Sequence, residues 1–221
     1  MEKKIQKRQI DCVIYDCDGV LFDSLDANRR LYRHIALSMG REPLTEGELQ
    51  YCHTHTVYES LRYMFREDET LEKRAVEFLK KEVNFKDYIV YLSMEPHLLE
   101  TLARLKERGI KRAISTNRTT SMPYIMERYG LSPYFEMVVT ALDVANPKPH
   151  PESVEKILQA FKLDRQHVLF VGDSEVDRDT ALAAGVNFIA YKGGSLEADA
   201  VIDDHLALLD FLSNGQQCPR E

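Results

Sequence analysis

From residue 96 to residue 190 the sequence alternates short apolar runs with longer amphipathic ones, and this alternation constrains the fold more than any other feature. The short runs have strand length and the longer runs repeat leucine or alanine at helical spacing. Because parallel strands need a crossover between them, such alternation favours a doubly wound, mostly parallel α/β sheet. The predicted strands are 10–15, 113–115, 137–139, 168–171 and 188–190, and the predicted helices are 96–109, 122–129, 152–161 and 176–184.

A purely helical block interrupts this alternation directly after the first predicted strand. Apolar residues recur at helical spacing between residues 24 and 84, with no strand pattern among them. A chain of 221 residues is long enough for one α/β domain that carries an insertion. We therefore predict a core domain formed by residues 1–23 and 95–221, and an inserted helical cap domain formed by residues 24–94.

Composition and charge exclude some classes of binding partner. The formal net charge of -7 argues against nucleic acid as the main partner, because binding a phosphate backbone needs a basic face. No stretch approaches the roughly 20 apolar residues of a membrane span, and the first residues, MEKKIQKRQ, are polar. The four cysteines are far apart and form no CxxC pair. We expect a cytoplasmic protein with no membrane partner, and the sequence does not indicate its oligomeric state.

Two aspartates follow the first predicted strand, in the run VIYDCDGVLFDS. Asp16 and Asp18 are two residues apart, so both carboxylates reach one side of the strand's end, and Gly19 permits the tight turn that follows. Paired carboxylates of this kind hold a metal, attack an electrophile or exchange protons. Taken alone, the pair is better explained as an acidic loop that caps a helix beginning at Ser24.

A second acidic cluster follows a later predicted strand, in VLFVGDSEVDRDTALAAG. Gly172 allows close backbone approach, Asp173 ends the strand, and Asp177 lies one helical turn further on, on the same face. Asp179 points to a different side of that helix, so we interpret it as a solvated residue. Carboxylates that converge at the edge of a sheet need neutralising, and Mg²⁺ with oxygen ligands is the usual solution.

Two further polar residues stand where strands or loops end. Thr116, in RAISTNRTT, offers a hydroxyl beside the backbone N–H groups of the following turn, an arrangement that can cradle a phosphate. Lys148, in NPKPHPE, stands between two prolines that restrict its backbone and aim its ammonium group. Neither residue is strong evidence alone, because Thr-Asn often begins a helix and most lysines are solvated.

The ordered set of these motifs resembles the haloacid dehalogenase superfamily, through DCDGVLFDS, STN, KPHP and GDSEVDRDTALAAG. The set spans nearly the whole chain and is highly specific when taken together. The resemblance implies a Rossmann-like core with the helical block as its cap. It also implies a Mg²⁺-dependent phosphatase that cleaves a small phosphomonoester through a phospho-aspartate intermediate.

The same resemblance implies a role for each motif residue. Asp16 would be the nucleophile and a metal ligand, Asp18 the general acid and base with its main-chain carbonyl also on the metal, and Asp173 would complete the metal site. The implied phosphate contacts come from Thr116, its neighbour Asn117, and Lys148. Supporting roles fall to Asp177, which would orient Lys148 or a metal-bound water, and to the two glycines, Gly19 and Gly172.

Within the family, several features favour the phosphoglycolate phosphatases and their relatives: the segment STNR, the long helical cap and the late run ADAVIDDHLALLDFL. Asp18 argues against the dehalogenase branch, which does not use a second carboxylate there. Phosphonate hydrolysis is disfavoured because the first cap helix carries arginines and no compelling lysine for a Schiff base. Sugar-phosphate mutases of the β-phosphoglucomutase type share the core and stay an alternative.

Two hypotheses from other functional classes fit the sequence less well. A signalling receiver also phosphorylates an aspartate on a parallel sheet, but it is a short domain without a helical cap. A catalytically silent binding protein would be expected to lack one of the four central residues, and all of them are present: Asp16, Asp18, Lys148 and Asp173.

The substrate is expected to be a small phosphorylated metabolite, selected by the cap. The segment YCHTHTVYESLRYMF predicts a polar turn before an amphipathic helix, and we expect His53 and Arg62 to contact the leaving group. The alternative is that both are ordinary exposed residues. In that case the next candidates are the arginines of the first cap helix, Arg29, Arg30 and Arg33.

Overall fold

The computed structural model describes residues 9–216, with side chains described to residue 213, so the first eight residues and Cys218 lie outside the described part. Its main feature is a six-stranded sheet in the order β5-β4-β1-β6-β7-β8, with every neighbouring pair parallel. The predicted α/β fold with a doubly wound parallel sheet is therefore confirmed. The six strands are β1 (Cys12–Tyr15), β4 (Lys111–Ser115), β5 (Met137–Val139), β6 (Val168–Gly172), β7 (Asn187–Tyr191) and β8 (Ala200–Ile202).

Helices cover both faces of this sheet, as the buried strands require. In β1, Val13 and Tyr15 belong to one apolar cluster while Cys12 and Ile14 belong to the other, since alternate side chains point to opposite faces. The first face packs against α6 (Leu98–Glu107), α7 (Met122–Arg128) and α10 (His205–Gln216), and the second against α8 (Glu152–Phe161) and α9 (Glu175–Ala184).

Five helices between the first two core strands form what we call the helical segment, residues 25–89. They have their own apolar cluster, in which residues such as Ile35, Leu61 and Ala75 are fully buried. Two of the helices begin with reciprocal capping boxes, in which a threonine and a glutamate each satisfy the other's backbone N–H. The helices are α1 (Leu25–Ser38), α2 (Glu46–Thr54), α3 (Val57–Met64), α4 (Glu69–Lys81) and α5 (Lys86–Ile89).

The chain passes between core and helical segment twice, and the two passages pair with each other. The short strands β2 (Phe22–Asp23) and β3 (Ser93–Met94) form an antiparallel ribbon. Next to it, the backbone N–H of Glu95 donates to the carbonyl of Leu21 at 3.0 Å. On the core side, the buried carboxylate of Glu95 accepts from Tyr191 at 2.9 Å.

The sequence prediction missed the short strands β2 and β3, the strand β8, the helix α10 and the start of α6. The strand β8 and the helix α10 extend the sheet and its cover, although the periodicity did not predict them. Strand β8 has three residues and leaves Val201 exposed, so its pattern does not differ from that of a loop. The helix expected from Pro96 begins at Leu98, because His97 adopts a left-handed conformation with φ of 57°.

None of the helices between residues 9 and 216 is both long and apolar enough to cross a lipid bilayer.

Candidate active site

The carboxyl end of β1 lies at the centre of the sheet, between β4 and β6, and carries Asp16. The backbone N–H of Asp16 donates to Val171 at 3.0 Å, which continues the pairing with β6. The chain then turns sharply at Gly19, whose φ is +71°. A Cβ at this position would stand 1.8 Å from Oδ2 of Asp173, so a side chain here would displace that carboxylate. Gly19 is thus required by both conformation and space.

Strand β6 ends at Gly172 and delivers two more carboxylates. Ser174 caps α9 by accepting from the backbone N–H of Asp177 at 3.2 Å, and Oδ2 of Asp177 accepts from the Ser174 hydroxyl at 2.7 Å. A Cβ at Gly172 would lie 2.3 Å from the Cβ of Asp177, so only glycine lets the helix begin this close to the strand. The result is a carboxylate cluster in which Asp16, Asp173 and Asp177 offer oxygens within 4.8 Å of one another.

Lys148 is the cation of this cluster. Its ammonium group lies 2.8 Å from Oδ1 of Asp16 and 2.6 Å from Oδ1 of Asp177, and the side chain is buried. Burial alone would lower the pKa of Lys148, but the charges of Asp16 and then Asp177 raise it above its ordinary value. Lys148 therefore stays an ammonium ion that is shared between two carboxylates.

The carboxylate cluster holds more negative charge than Lys148 balances. Burial and then the neighbouring Asp177 raise the pKa of Asp16, and the same two causes raise that of Asp173. Carboxyl groups with raised pKa values release their protons readily only if positive charge is added. Three carboxylates at the edge of a buried site are oxygen ligands suited to a hard divalent cation. The residues present therefore fit a divalent metal.

Asp18 forms an ion pair that the sequence analysis did not predict. A guanidinium nitrogen of Arg118 donates to Oδ1 of Asp18 at 2.5 Å, and both side chains are mostly buried. Burial alone would raise the pKa of Asp18, but the charges of Arg118 and then His53 lower it below its ordinary value. Arg118 belongs to the STNR segment, and its position two residues after Thr116, at the same strand end, was the available signal.

The turn after β4 holds the other predicted phosphate ligands. Thr116 is buried, and its hydroxyl oxygen accepts from the backbone N–H of Arg118 at 3.1 Å. The side chain of Asn117 is engaged with the loop of Lys148: it accepts from the Lys148 N–H at 3.0 Å and donates to the Lys148 carbonyl at 3.1 Å. Asn117 thus fixes the backbone of Lys148, a contact that the sequence did not predict.

A cavity lies between this strand edge and the helical segment. Its core side carries Asp16, Asp18 and Thr116, and its opposite side carries Asn28 of α1 and His53 of α2. His55 also lines the cavity, with its ring stacked on that of Tyr51 at 3.8 Å. The sequence predicted a polar turn at His53, whereas His53 lies in the last turn of α2 and lines the cavity from there.

The second predicted contact from the helical segment lies elsewhere. The Arg62 side chain is 74% exposed and its guanidinium lies 3.6 Å from Glu72, and Arg62 does not line the cavity. The physical reason is helical phase, because α3 buries Val57, Leu61 and Met64 and so turns Arg62 to solvent. The expected contact of Arg62 with the leaving group is therefore not supported.

The alternative arginines do not reach the cavity either. The side chains of Arg29 and Arg30 pair with Glu46 and Asp26 on the exposed side of α1, and Arg33 is exposed as well. Asp179 is exposed and pairs with Arg178, as its helical position predicts.

Chemically, the site combines a buried carboxylate, a second carboxylate across the turn, an ammonium ion and room for a divalent cation. Asp16 faces both the cavity and the carboxylate cluster, so it can act on a group that enters the cavity. The charged groups lie at the carboxyl ends of parallel strands, where open α/β sheets bind ligands. Such an arrangement suits the transfer of an anionic group.

Comparisons with known proteins agree with this chemistry. The family model of haloacid dehalogenase-like hydrolases matches residues 13–191. A phosphoglycolate phosphatase of Rhodobacter capsulatus is 27% identical over 190 residues, which are 82% of this chain and 84% of that protein. The crystal structure of a HAD-superfamily hydrolase from Geobacter sulfurreducens is 39% identical, with a TM-score of 0.75, and the match covers 92% of this chain and 96% of that one.

A further solved structure shares the fold. It is the β-phosphoglucomutase of Clostridium difficile, which has a TM-score of 0.81 at 19% identity, with 94% of this chain and 97% of that one covered. At this identity the likeness concerns the fold alone.

Proposed function

The chain belongs to the haloacid dehalogenase-like hydrolase family, and we propose that it is a Mg²⁺-dependent phosphatase acting on a small phosphomonoester that resembles phosphoglycolate. The observation that carries the proposal is the contact of Lys148 with Asp16, 2.8 Å, beside the carboxylate cluster. This contact, together with the positive charge that a bound divalent cation would add, favours an ionised Asp16 at the cavity wall, where a phosphoryl group can be attacked.

In the first half-reaction, a carboxylate oxygen of Asp16 attacks phosphorus and the bond from phosphorus to the leaving oxygen breaks. Asp18, whose pKa the neighbouring Arg118 lowers in the free site, must be protonated when the substrate is bound; it then gives this proton to the leaving oxygen, and the leaving group departs as an alcohol. In the second half-reaction, water attacks phosphorus, Asp18 takes the proton of the water, and Asp16 is regenerated. Splitting the reaction in this way replaces one difficult step by two easier ones.

Charge neutralisation is the main task of the remaining residues, because an anion must approach an anion. The ammonium group of Lys148 lies beside Asp16, where it can also bind a phosphoryl oxygen. Asp177 and Asn117 hold Lys148 by its ammonium group and its backbone. The buried hydroxyl of Thr116 is a donor for another phosphoryl oxygen.

Mg²⁺ would be held by the carboxylates of Asp16 and Asp173 and the main-chain carbonyl of Asp18. The cation would supply positive charge to the phosphoryl oxygens and to the crowded carboxylates. Oxygen ligands at one edge of the site support Mg²⁺ over softer metals, which prefer nitrogen or sulfur.

The helical segment would act as a cap that selects the leaving group, with the domain boundaries predicted from the sequence at residues 24 and 94. His53 and Asn28 are its polar contributions to the cavity. The phosphoglycolate phosphatase named above supports a small leaving group of this type. We expect a cytoplasmic enzyme, and the three cysteines in the described part are free and buried, as suits a reducing compartment.

Phosphate release from p-nitrophenyl phosphate, with Mg²⁺ and after its removal by chelation, tests the proposal. We expect release only with the metal, and a panel of phosphorylated metabolites then ranks the substrates. Incubation with glucose phosphates and a bisphosphate activator distinguishes a hydrolase from a sugar-phosphate mutase, because only a mutase would convert one isomer into the other. Isomerisation faster than phosphate release would contradict the proposed hydrolase.

A further inference from the structure

We propose that Arg118 binds a second anionic group of the substrate, so that the preferred substrates are small phosphomonoesters whose leaving group carries its own negative charge. This inference rests on the proposed phosphatase function and narrows its substrate class. Arg118 takes no part in the proposed catalytic steps.

Arg118 has donors to spare at the cavity wall. One terminal nitrogen donates to Asp18 at 2.5 Å and the other donates to the hydroxyl of Ser121 at 3.3 Å. The Nε atom of Arg118 is buried, and among residues 9–213 it has no hydrogen-bond partner. A guanidinium has five N–H donors in a planar fork, so these contacts leave part of the fork unused.

The position of Arg118 matches the leaving group and not the phosphoryl group. The phosphoryl side of the site is already served by Lys148, at 2.8 Å from Asp16. Asp18 must contact the leaving oxygen in order to protonate it, and Arg118 contacts Asp18 directly. A substituent on the leaving oxygen therefore comes within reach of the guanidinium.

The opposite wall of the cavity offers a matching donor. The side-chain amide of Asn28 lies 3.0 Å from Nδ1 of His53, with the amide nitrogen toward the ring. If this nitrogen donates to Nδ1, the proton of the neutral ring is on Nε2, which makes Nε2 a donor. The leaving-group region thus has N–H donors from both the core and the helical segment.

Size and chemistry then limit the ligand. Apolar side chains, among them Ala27, Leu31 and Ile89, form part of the cavity wall, and they offer no polar contact to a long polar leaving group. Carboxylates and phosphates are the anions that match a guanidinium fork in two-point fashion. The predicted substrate therefore carries a carboxylate or a second phosphate close to the scissile phosphoester.

The experiment compares three probes at saturating Mg²⁺: 2-phosphoglycolate, pyrophosphate (a phosphoanhydride whose leaving group is itself phosphate) and 2-hydroxyethyl phosphate, in which a neutral hydroxymethyl group replaces the carboxylate of phosphoglycolate. The value of kcat/KM is measured for the wild type, Arg118→Gln, Arg118→Lys and the control Arg74→Gln, an exposed arginine of α4. Comparing the first two probes tells which anion, carboxylate or phosphate, is recognised.

We expect the wild type to prefer at least one charged probe over 2-hydroxyethyl phosphate by at least about 10-fold. Arg118→Gln should lose about 100-fold on that probe and far less on the neutral one, as expected when a charged contact is removed. Arg118→Lys should fall between the two, because lysine keeps the charge without the fork. Arg74→Gln should keep the wild-type ratio.

Equal losses of Arg118→Gln on charged and neutral probes would overturn the inference, because they would mean that Arg118 acts only through Asp18. A wild type without preference for either charged probe would overturn it even if the variants failed to fold. Absence of phosphate release from every probe and from p-nitrophenyl phosphate would instead contradict the proposed function itself.

Discussion

The ammonium group of Lys148 lies 2.6 Å from Oδ1 of Asp177, and both side chains are buried. The other carboxylate oxygen of Asp177 caps α9, so one side chain ties the lysine to the start of a helix. This arrangement fixes the lysine relative to Asp16.

Asp177→Asn should therefore lower kcat with little change in KM. An amide can still accept at the helix start, but it attracts the ammonium group less, so Lys148 loses its fixed position. Misplacement of this kind costs on the order of 100-fold in rate. Steady-state kinetics of this variant and of Asp179→Asn, an exposed aspartate of the same helix, provide the check. A fall of similar size in Asp179→Asn would mean that the position of Lys148 is not the cause.

Gly19→Ala should abolish activity. Its φ is +71°, and the added methyl group would stand 1.8 Å from Oδ2 of Asp173. The matched control is Gly130→Ala, where φ is +63° and nothing lies within 4 Å. Both variants should lose roughly 1–2 kcal/mol of stability from backbone strain, but only Gly19→Ala should lose kcat, by at least about 100-fold. Equal kinetics in the two variants would contradict the space argument.

Mg²⁺ should raise the unfolding temperature of the wild type, because it relieves repulsion in the carboxylate cluster. At 100 times the dissociation constant the gain is about 2.7 kcal/mol. Asp173→Asn should lose most of this gain but should be more stable than the wild type in the presence of a chelator, because it removes a crowded charge. Thermal unfolding of both proteins with and without Mg²⁺ tests the smaller gain with Mg²⁺ and the higher stability without it. If Mg²⁺ raised the unfolding temperature of Asp173→Asn as much as that of the wild type, Asp173 would not be a ligand.

His205 should make stability depend on pH. Its ring is buried, Nε2 donates to the carbonyl of Val20 at 2.9 Å, and burial lowers its pKa from 6.5 to about 4. As the pH falls below about 6.5, His205 therefore takes up a proton in the unfolded state but not in the folded state. The free energy of unfolding decreases as a result. The charged groups that act on the ring are Glu95, Asp204 and Lys192, and the rings of Tyr191 and Tyr15 pack against it.

The size of this effect can be isolated with His205→Gln, which keeps a donor for Val20. Between about pH 7 and pH 5 the wild type should lose about 2 kcal/mol more than the variant. Denaturant unfolding at the two pH values measures the difference. Parallel losses in both proteins would assign the pH dependence to other groups.

The sequence predicted the parts of the site that depend on strand ends. The sequence alone predicted that Asp16 and Asp173 lie close together, because the carboxyl ends of neighbouring parallel strands meet at one edge of the sheet. The sequence did not predict that Arg118 pairs with Asp18. A charged residue in a turn is ordinarily solvated, and this pairing depends on how β4 lies against β1. Arg62 was expected at the cavity, although Leu61 and Met64 already marked the buried side of its helix and the structure leaves Arg62 exposed. The strand β8 was missed because its three apolar residues lie between acidic residues, in a run that is otherwise typical of a loop.

The central claim is that the phosphoryl group passes through Asp16, and Asp18→Asn with p-nitrophenyl phosphate tests it most directly. The aryl leaving group hardly needs a proton, so the first half-reaction should proceed, while water without its base reacts slowly. We expect a burst of p-nitrophenol equal to the enzyme. Acid quenching and borohydride reduction should then convert Asp16 to homoserine in the peptide map. Absence of the burst, with Asp16 unmodified while the wild type releases phosphate, would contradict the account.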